Sequence, residues 1–149
     1  MNIIEFVREV LTNYPKIQEF TNNIHIDFTN DDEHPNYGLY SIGDALLNED
    51  ILGNQTRQHS FVLYAINQSY NDYDRLVNST FLLDLAYWLE RYKSDVALEV
   101  IIDNKTYQGK LKSLSSANGM LYNVINDDIN NGVMYQIQIY AQYTLESEE

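Results

Sequence analysis

One segment near the end of the chain constrains the fold more than any other. Over residues 133–144 every second residue is apolar, and the residues between them are mostly polar. The apolar set is Val133, Tyr135, Ile137, Ile139, Ala141 and Tyr143. A period of two over this length predicts a β-strand with one face on a hydrophobic core. The fold must therefore contain a sheet that other elements cover on one face.

A second segment has helical periodicity. Between Asp72 and Tyr92 the apolar residues recur every three or four positions. They are Leu76, Phe81, Leu82, Leu85, Trp88 and Leu89. Asn71 or Asp72 would cap the first turn, and Arg91 and Lys93 lie at the end, where the helix dipole favours cations. The segment therefore predicts a long amphipathic helix.

The other segments show a mixture of helical and strand patterns. Residues 2–14 predict an amphipathic first helix that Pro15 ends, followed by a shorter turn through Ile17 and Phe20. Strands are predicted at residues 24–28, 59–68, 96–103, 106–114 and 119–124, and one or two strands or an extended arm at residues 38–52. Polar loops are predicted at residues 29–36 and 126–132, and turns at residues 54–57 and 104–105.

This order predicts an α+β fold, a mainly antiparallel mixed sheet with two helices packed on one face. Residues 59–68 are apolar at both alternating sets of positions, so they predict a central strand covered on both sides. Gly and Pro are scarce and no linker is evident. Residues 1–145 are therefore expected to form a single domain, with residues 146–149 as a frayed acidic tail.

The charge of the chain limits its partners. Asp and Glu number 22 and Lys and Arg 9, a net charge of −13. Such a field repels phosphate backbones and disfavours nucleic-acid binding, although it could line a passage through which DNA slides without sticking. The absence of Cys excludes disulfides and thiolate chemistry. No apolar run approaches the ~20 residues of a membrane helix, so we expect a soluble intracellular protein without a signal peptide.

Tyrosine is unusually frequent, at 13 of 149 residues. A Tyr side chain combines a large apolar area with a polar tip, which suits surfaces that become buried when proteins associate. A Tyr-rich sheet surface in a monomer would explain the count as well.

The search for chemistry identifies no catalytic residue, no metal site and no cofactor. Asp31-Asp32-Glu33-His34 lacks the spacing of a calcium loop, and His25 with Asp27 is a common strand-surface pair. The three His residues fall in different elements, and His59 is expected to be structural. Motifs for a nucleophilic serine or a phosphate loop are missing from the sequence. A glycosidase-like pair of carboxylates stays open, but nothing selects one.

Arg57 is notable because bases are few and it falls in a predicted loop. Flanked by Asn54 and Gln55, its guanidinium could bridge to a carboxylate on a neighbouring subunit. A solvent-exposed Arg is an equally good interpretation.

Residues 40–91 and 113–143 resemble a family encoded by tailed phages and prophages of Gram-positive bacteria. Its members are often labelled minor capsid proteins, and the family is similar to tail terminators. The matching elements are Gly43-Asp44, residues 50–58, residues 61–67, Tyr73-Asp74-Arg75, Asn118-Gly119-Met120 and residues 135–140. Residues 94–108 depart from the pattern of the family, which leaves the role of that hairpin open.

The resemblance implies a small α/β subunit that forms a hexameric ring, caps the growing tail tube, stops its polymerisation and joins the tail to the head. The partners would be further copies, the tail tube protein and neck or connector proteins, with DNA passing through an acidic bore. The protein would lie in the virion neck, and in the host cytoplasm during assembly.

Contacts in a ring are head-to-tail, so opposite edges of the subunit must be complementary. The last strand, expected to be exposed, and two predicted loops are the candidate edges. The candidate residues are Asn54, Gln55, Arg57, Asn118, Gly119, Met120 and Tyr140. Two alternatives remain open: a head–tail connector or other neck completion protein, and a small cytoplasmic enzyme or regulator.

Overall fold

A computed structural model describes residues 1–15, 24–26, 36–67, 72–124 and 133–146 of the chain. The helices are α1 (Ile3–Thr12) and α2 (Asp72–Arg91), and the strands are β1 (Ile24–Ile26), β2 (Asn36–Glu49), β3 (Gln55–Asn67), β4 (Ala97–Ile102), β5 (Lys105–Val124) and β6 (Val133–Glu146). The strands form one sheet in the order β1-β2-β3-β6-β5-β4. Only the pairing of β1 with β2 is parallel among these described strands, so the predicted α+β fold with a mainly antiparallel sheet is confirmed.

Both helices pack on the same face of the sheet, and their apolar residues share one core with it. Asn2 caps the N-terminus of α1, because its side-chain oxygen accepts a hydrogen bond from the backbone N–H of Glu5 at 2.9 Å. Its buried residues are Ile3, Phe6, Val7, Val10 and Leu11, at the predicted helical spacing. From α2, Leu85 and Leu89 are fully buried in the same core.

The alternation in β6 is confirmed, but the position of this strand in the sheet is not the expected one. Its odd-numbered residues from Val133 to Leu145 are buried and the residues between them are partly exposed. The strand lies between β3 and β5 and is therefore central, so the expectation of an exposed edge is wrong. Alternation reports which face of a strand is buried, whereas the neighbours of a strand depend on long-range pairing. Glu146, expected in a frayed tail, is the last residue of β6 and pairs with Gln108.

The hairpin of β4 and β5 turns one residue earlier than predicted. Asp103 and Asn104 have φ of 51° and 64°, the left-handed values that a two-residue hairpin turn requires. After the turn, β5 runs unbroken from Lys105 to Val124, where two separate strands were expected. The predicted turn at Asn118 is instead an irregularity inside this strand, with φ of 59° and a shift in register.

The hairpin of β2 and β3 also differs from the expectation. The region predicted as one or two strands or an arm is a single long strand that ends at Glu49. Gln55 and Arg57, predicted in a turn, belong to β3, and the turn itself spans residues 50–54. Since β1 pairs only with Tyr37–Leu39, the described residues place no strand on the outer edge of the rest of β2.

The strand β3 is central, as predicted, and has buried residues on both faces. Phe61 and Leu63 face the helices, whereas Val62 on the opposite face is 8% exposed and lies outside the main apolar cluster. Within the described part of the chain no helix covers that opposite face, which we call the outer face. Predictions for residues 16–23, 27–35, 68–71, 125–132 and 147–149 fall outside the described residues.

Candidate functional site

A β-bulge in β2 places two polar side chains beside His59. Ser41 pairs with Phe61 and Asp44 pairs with His59, so one extra residue of β2 lies between these pairs. In a regular strand, positions 41 and 44 would point to opposite faces. Because of the bulge, Ser41 and Asp44 both reach the imidazole from the face that carries the core.

The side chains around His59 form a hydrogen-bonded group that we call the polar cluster: Ser41, Asp44, Arg57, His59 and Tyr143. Oδ1 of Asp44 accepts from Nε of Arg57 at 2.6 Å, and Oδ2 accepts from Nδ1 of His59 at 2.9 Å and from the hydroxyl of Tyr143 at 2.5 Å. Nε2 of His59 lies 2.6 Å from Oγ of Ser41. One carboxylate therefore links β2 to β3 and, through Tyr143, to β6.

The environment of Asp44 keeps its carboxylate ionised at neutral pH. Burial raises the pKa of Asp44, but hydrogen bonds from Tyr143, Arg57 and His59 lower it by more, and the result lies below the usual value. Burial and the hydrogen bond to Asp44 raise the pKa of Tyr143, so its hydroxyl stays protonated as a donor. The anion, the guanidinium of Arg57 and the buried imidazole are thus mutually satisfied.

Ser41, His59 and Asp44 are connected as in a catalytic triad. Nδ1 of His59 is hydrogen-bonded to the carboxylate of Asp44, and Nε2 is hydrogen-bonded to the hydroxyl of Ser41. A cavity beside the polar cluster is lined by Asp44, Arg57, His59 and Tyr143 but not by Ser41. The contacts favour a structural network that satisfies the polar groups where the apolar core ends.

That cavity is an open groove of about 470 Å³ between α1, β4 and the polar cluster. Its walls are mainly aliphatic and come from the start of α1 and from the edge strand β4. The wall residues are Asn2, Ile3, Ile4, Glu99, Val100, Ile101 and Ile102. The backbone N–H of Glu99 donates to the carbonyl of Met1 at 3.0 Å, which fixes the start of α1 beside β4.

On the outer face, the described residues of the two central strands, β3 and β6, are uncharged except for Glu146 at the rim. Register places the even-numbered residues of β3 and β6 on this face, together with Tyr40 of β2. These residues are Tyr40, Thr56, Gln58, Ser60, Val62, Tyr64, Met134, Gln136, Gln138, Tyr140, Gln142 and Thr144. At the rim of this face lie Lys110 and Glu146.

Amide and phenol groups order the outer face. The amide nitrogen of Asn118 and the hydroxyl of Tyr140 both donate to Oε1 of Gln138, at 2.9 and 2.7 Å. The ring of Tyr64 lies 5.1 Å from that of Tyr40 and 5.4 Å from that of Tyr122, between ring centroids. The face therefore presents ordered aromatic and amide surface.

The candidate interface residues fall into two groups at different places. Asn118 and Tyr140 meet at Gln138, and Met120 pairs with Gln136 on the same face. A Cβ at Gly119 would instead meet Leu82 and Ile137, so this position faces the core. The other group, Asn54, Gln55 and Arg57, lies in the hairpin of β2 and β3.

The structure gives Arg57 a carboxylate partner within its own chain, and a contact of Arg57 with a neighbouring subunit stays a prediction. Its guanidinium bonds Asp44 of the same chain and donates to Oε1 of Gln55 at 2.9 Å, so it has a carboxylate partner without a neighbouring subunit. The sequence search also missed Ser41 and Asp44 as partners of His59, and Tyr143 as a donor to Asp44. The available signal was Gly43, because a glycine inside a strand pattern indicates a bulge.

The described residues contain neither a metal-binding group nor a membrane-spanning helix. Among them, no group of three or more His, Asp or Glu side chains could hold a metal ion, and the acidic segment 31–34 lies outside these residues. Neither α1 nor α2 is long and apolar enough to cross a membrane.

Comparison with protein-family models and with curated proteins identifies no relative of this chain. No protein-family model matches the sequence, and no curated protein matches it significantly.

Proposed function

We propose that this chain is a structural subunit of a phage virion: a tail terminator that forms a hexameric ring, caps the tail tube and joins the tail to the head. The observation that carries the proposal is the uncharged outer face. The resemblance of residues 40–91 and 113–143 to proteins similar to tail terminators gives the proposal its specific form.

The composition of the outer face supports burial against other protein subunits. A surface designed for solvent is about 25–35% charged, whereas the outer-face positions of β3 and β6 from Thr56 to Tyr64 and from Met134 to Thr144 carry no charged residue. Protein interfaces are depleted in Lys, Glu and Asp at their centre and enriched in Tyr and Met. Tyr40, Tyr64, Met134 and Tyr140 on the outer face follow that pattern.

The distribution of acids agrees with a passage for DNA. Exposed carboxylates lie away from the outer face on both helices, at Glu5 and Glu9 of α1 and Glu90 of α2. A ring that turned these elements toward its bore would present DNA with a surface of its own sign. DNA would then pass without adhering, because phosphates bind where cations replace their counterions.

The experiment that tests the proposal is control of tube length. Purified chain is added to polymerising tail-tube subunits, and tube lengths are measured by electron microscopy. A terminator shortens the tubes in proportion to its concentration. Tubes of unchanged length that still acquire the chain at their ends would favour the connector alternative, and a strict monomer that ignores the tubes would contradict every assembly role.

A matched pair of variants ties that result to the outer face. Gln138→Glu adds one negative charge at its centre, and because Asn118 and Tyr140 both donate to Oε1, a carboxylate can accept the same two bonds. Ser79→Glu adds the same charge at an exposed position of α2. We expect only Gln138→Glu to weaken assembly. If both variants weaken assembly equally, the outer face is not the surface that the subunits bury.

A further inference from the structure

The irregular site inside β5 contains an Asn-Gly pair, Asn118-Gly119. The shift in register places both residues opposite one residue of β6, Ile137, as in a β-bulge. Both residues of the pair are exposed. The strand β4 pairs with β5 only over residues 105–110, so β4 does not cover this part of the strand. The pair therefore lies at the surface of the folded chain, where water reaches it.

An Asn that is followed by Gly can change covalently without an enzyme. The backbone nitrogen of Gly119 loses its proton to hydroxide and attacks Cγ of Asn118. The new N–C bond closes a succinimide ring, and the side-chain amide leaves as ammonia with a proton from water. Water then opens the ring at either carbonyl, which gives Asp or isoaspartate at position 118. Glycine favours the attack because it has no Cβ beside the nitrogen and its backbone reaches conformations that other residues avoid.

A second Asn of the chain has a similar backbone but a different following residue. Asn118 has φ of 59°, and Asn104 in the turn between β4 and β5 has φ of 64°, both in the left-handed region. Asn104 is also exposed, but the next residue is Lys105. The nitrogen that would attack Asn104 therefore carries a bulky side chain on the adjacent carbon, so this residue serves as an internal control.

Deamidation at Asn118 would change the outer face where its polar groups are ordered. The amide nitrogen of Asn118 donates to Oε1 of Gln138 at 2.9 Å, and the hydroxyl of Tyr140 donates to the same oxygen at 2.7 Å. An ionised carboxylate at position 118 cannot donate, so this hydrogen bond is lost and two acceptors face each other. The carboxylate also adds a negative charge to a face whose central strands are uncharged away from the rim.

We propose that Asn118 is a site of spontaneous deamidation, and that the carboxylate formed there weakens assembly through the outer face. The reaction depends on the Asn-Gly pair at the bulge. Its effect on assembly rests on the proposed function, because a charge on this face matters only to subunits that bury the face. Free subunits lose their ability to assemble with time, whereas assembled subunits exclude the water that the reaction needs.

Peptide mapping by mass spectrometry tests the modification. The purified chain is incubated in mildly acidic and in mildly alkaline buffer, and each Asn is followed with time. We expect Asp and isoaspartate to accumulate at position 118 several-fold faster than at position 104, and faster in alkaline buffer because hydroxide removes the proton. Tandem fragmentation distinguishes this position from the other Asn-Gly pair, Asn131-Gly132, which lies outside the described residues.

The variant Gly119→Ala is the matched control for the reaction. Its added Cβ would meet Leu82 and Ile137 at 3.4 and 3.5 Å, so the fold accommodates it. The methyl group hinders the attacking nitrogen, and deamidation at Asn118 should slow toward the rate at Asn104. An Asn118 that stays intact in wild type, or reacts as fast in Gly119→Ala, would overturn the inference.

A second pair of variants tests the effect on assembly. Asn118→Asp reproduces a product of the reaction, and Asn104→Asp adds the same charge at the hairpin turn, where Asp also tolerates a left-handed backbone. Asn118→Asp should raise the protein concentration needed for half-assembly by about tenfold or more, because a charge is buried without a partner. Asn104→Asp should leave assembly unchanged. Circular dichroism checks that both variants fold.

The outcomes separate this inference from the proposed function. If Asn118→Asp assembles as well as wild type, the inference is overturned, and the terminator proposal still stands on tube length. If wild type deamidates at Asn118 and loses assembly with it, yet never changes tube length, the inference is supported and the terminator role is contradicted. Chains that stay monomeric at every concentration would overturn both.

Discussion

At the scale of single residues, Asp44 joins three neighbouring strands. Its carboxylate accepts hydrogen bonds from Arg57 and His59 on β3 and from Tyr143 on β6. The side chain is 22% exposed, so water screens these interactions only in part. Substitution of Arg57 is therefore a poor test of contacts between subunits. Arg57→Glu would place a second carboxylate against Asp44 and would destabilise the fold of the single chain.

We expect Asp44→Asn to lower the free energy of unfolding by about 1–2 kcal/mol, because hydrogen bonds to a charged group are lost and a partly exposed amide replaces it. Urea unfolding followed by the fluorescence of Trp88, the one Trp of the chain, measures the change. Glu49→Gln removes the same charge from an exposed position at the end of β2 and should be near neutral. Equal losses in the two variants would mean that net charge, not the polar cluster, is responsible.

The contribution of Asp44 should depend on pH. Its pKa is lowered in the folded chain, and the pKa of an unfolded Asp is about 3.9. Below that value the unfolded chain binds more protons than the folded chain, so stability falls as the pH drops toward the folded pKa. The advantage of wild type over Asp44→Asn is thus complete above about pH 5 and lost progressively below about pH 4. A difference that persists unchanged near pH 3 in urea unfolding would contradict this.

At the scale of secondary-structure elements, the strands β5 and β6 approach closely at Gly109. A Cβ at this position would lie 2.3 Å from the carbonyl oxygen of Thr144 and 2.8 Å from Cδ2 of Leu145. We therefore expect Gly109→Ala to destabilise the fold by about 3 kcal/mol, since backbone must move. Gly119→Ala is the control, because its Cβ would meet Leu82 and Ile137 at ordinary distances of 3.4–3.5 Å. Denaturant midpoints of the two variants decide the comparison.

The turn between β4 and β5 allows a second test of an element. Asn104 has φ of 64°, which glycine adopts freely and a β-branched residue adopts at a cost of about 1–2 kcal/mol. Asn104→Val should therefore destabilise the chain, and Asn104→Gly should be nearly neutral. If thermal unfolding shows Asn104→Val to be as stable as Asn104→Gly, the left-handed turn at Asp103 and Asn104 is not present in solution.

At the scale of the whole molecule, charge opposes assembly. Each subunit carries a net charge of −13, so subunits repel one another until salt screens the field. If uncharged and aliphatic surfaces make the contacts, the oligomeric fraction at fixed protein concentration should increase with ionic strength. Light scattering over a salt series measures this fraction. A decrease with salt would indicate contacts made by ion pairs and would contradict an uncharged interface.

The sequence by itself determined the fold class and the faces of the elements. Alternation over residues 133–144 and helical spacing in α1 and α2 follow from local geometry, since each side chain's direction depends on its neighbours along the chain. The sequence predicts two strands at residues 106–114 and 119–124, where the structure has one, because an irregular site inside a strand resembles a turn when only local residues are considered.

Only the tertiary structure decided which strands are neighbours and which side chains meet. The central place of β6 and the composition of the outer face depend on pairing between residues far apart in the chain. The polar cluster depends on one bulge that turns Ser41 and Asp44 to the same face, and on Tyr143, which lies 99 residues from Asp44. Such contacts arise from register and strand order, which local patterns do not specify.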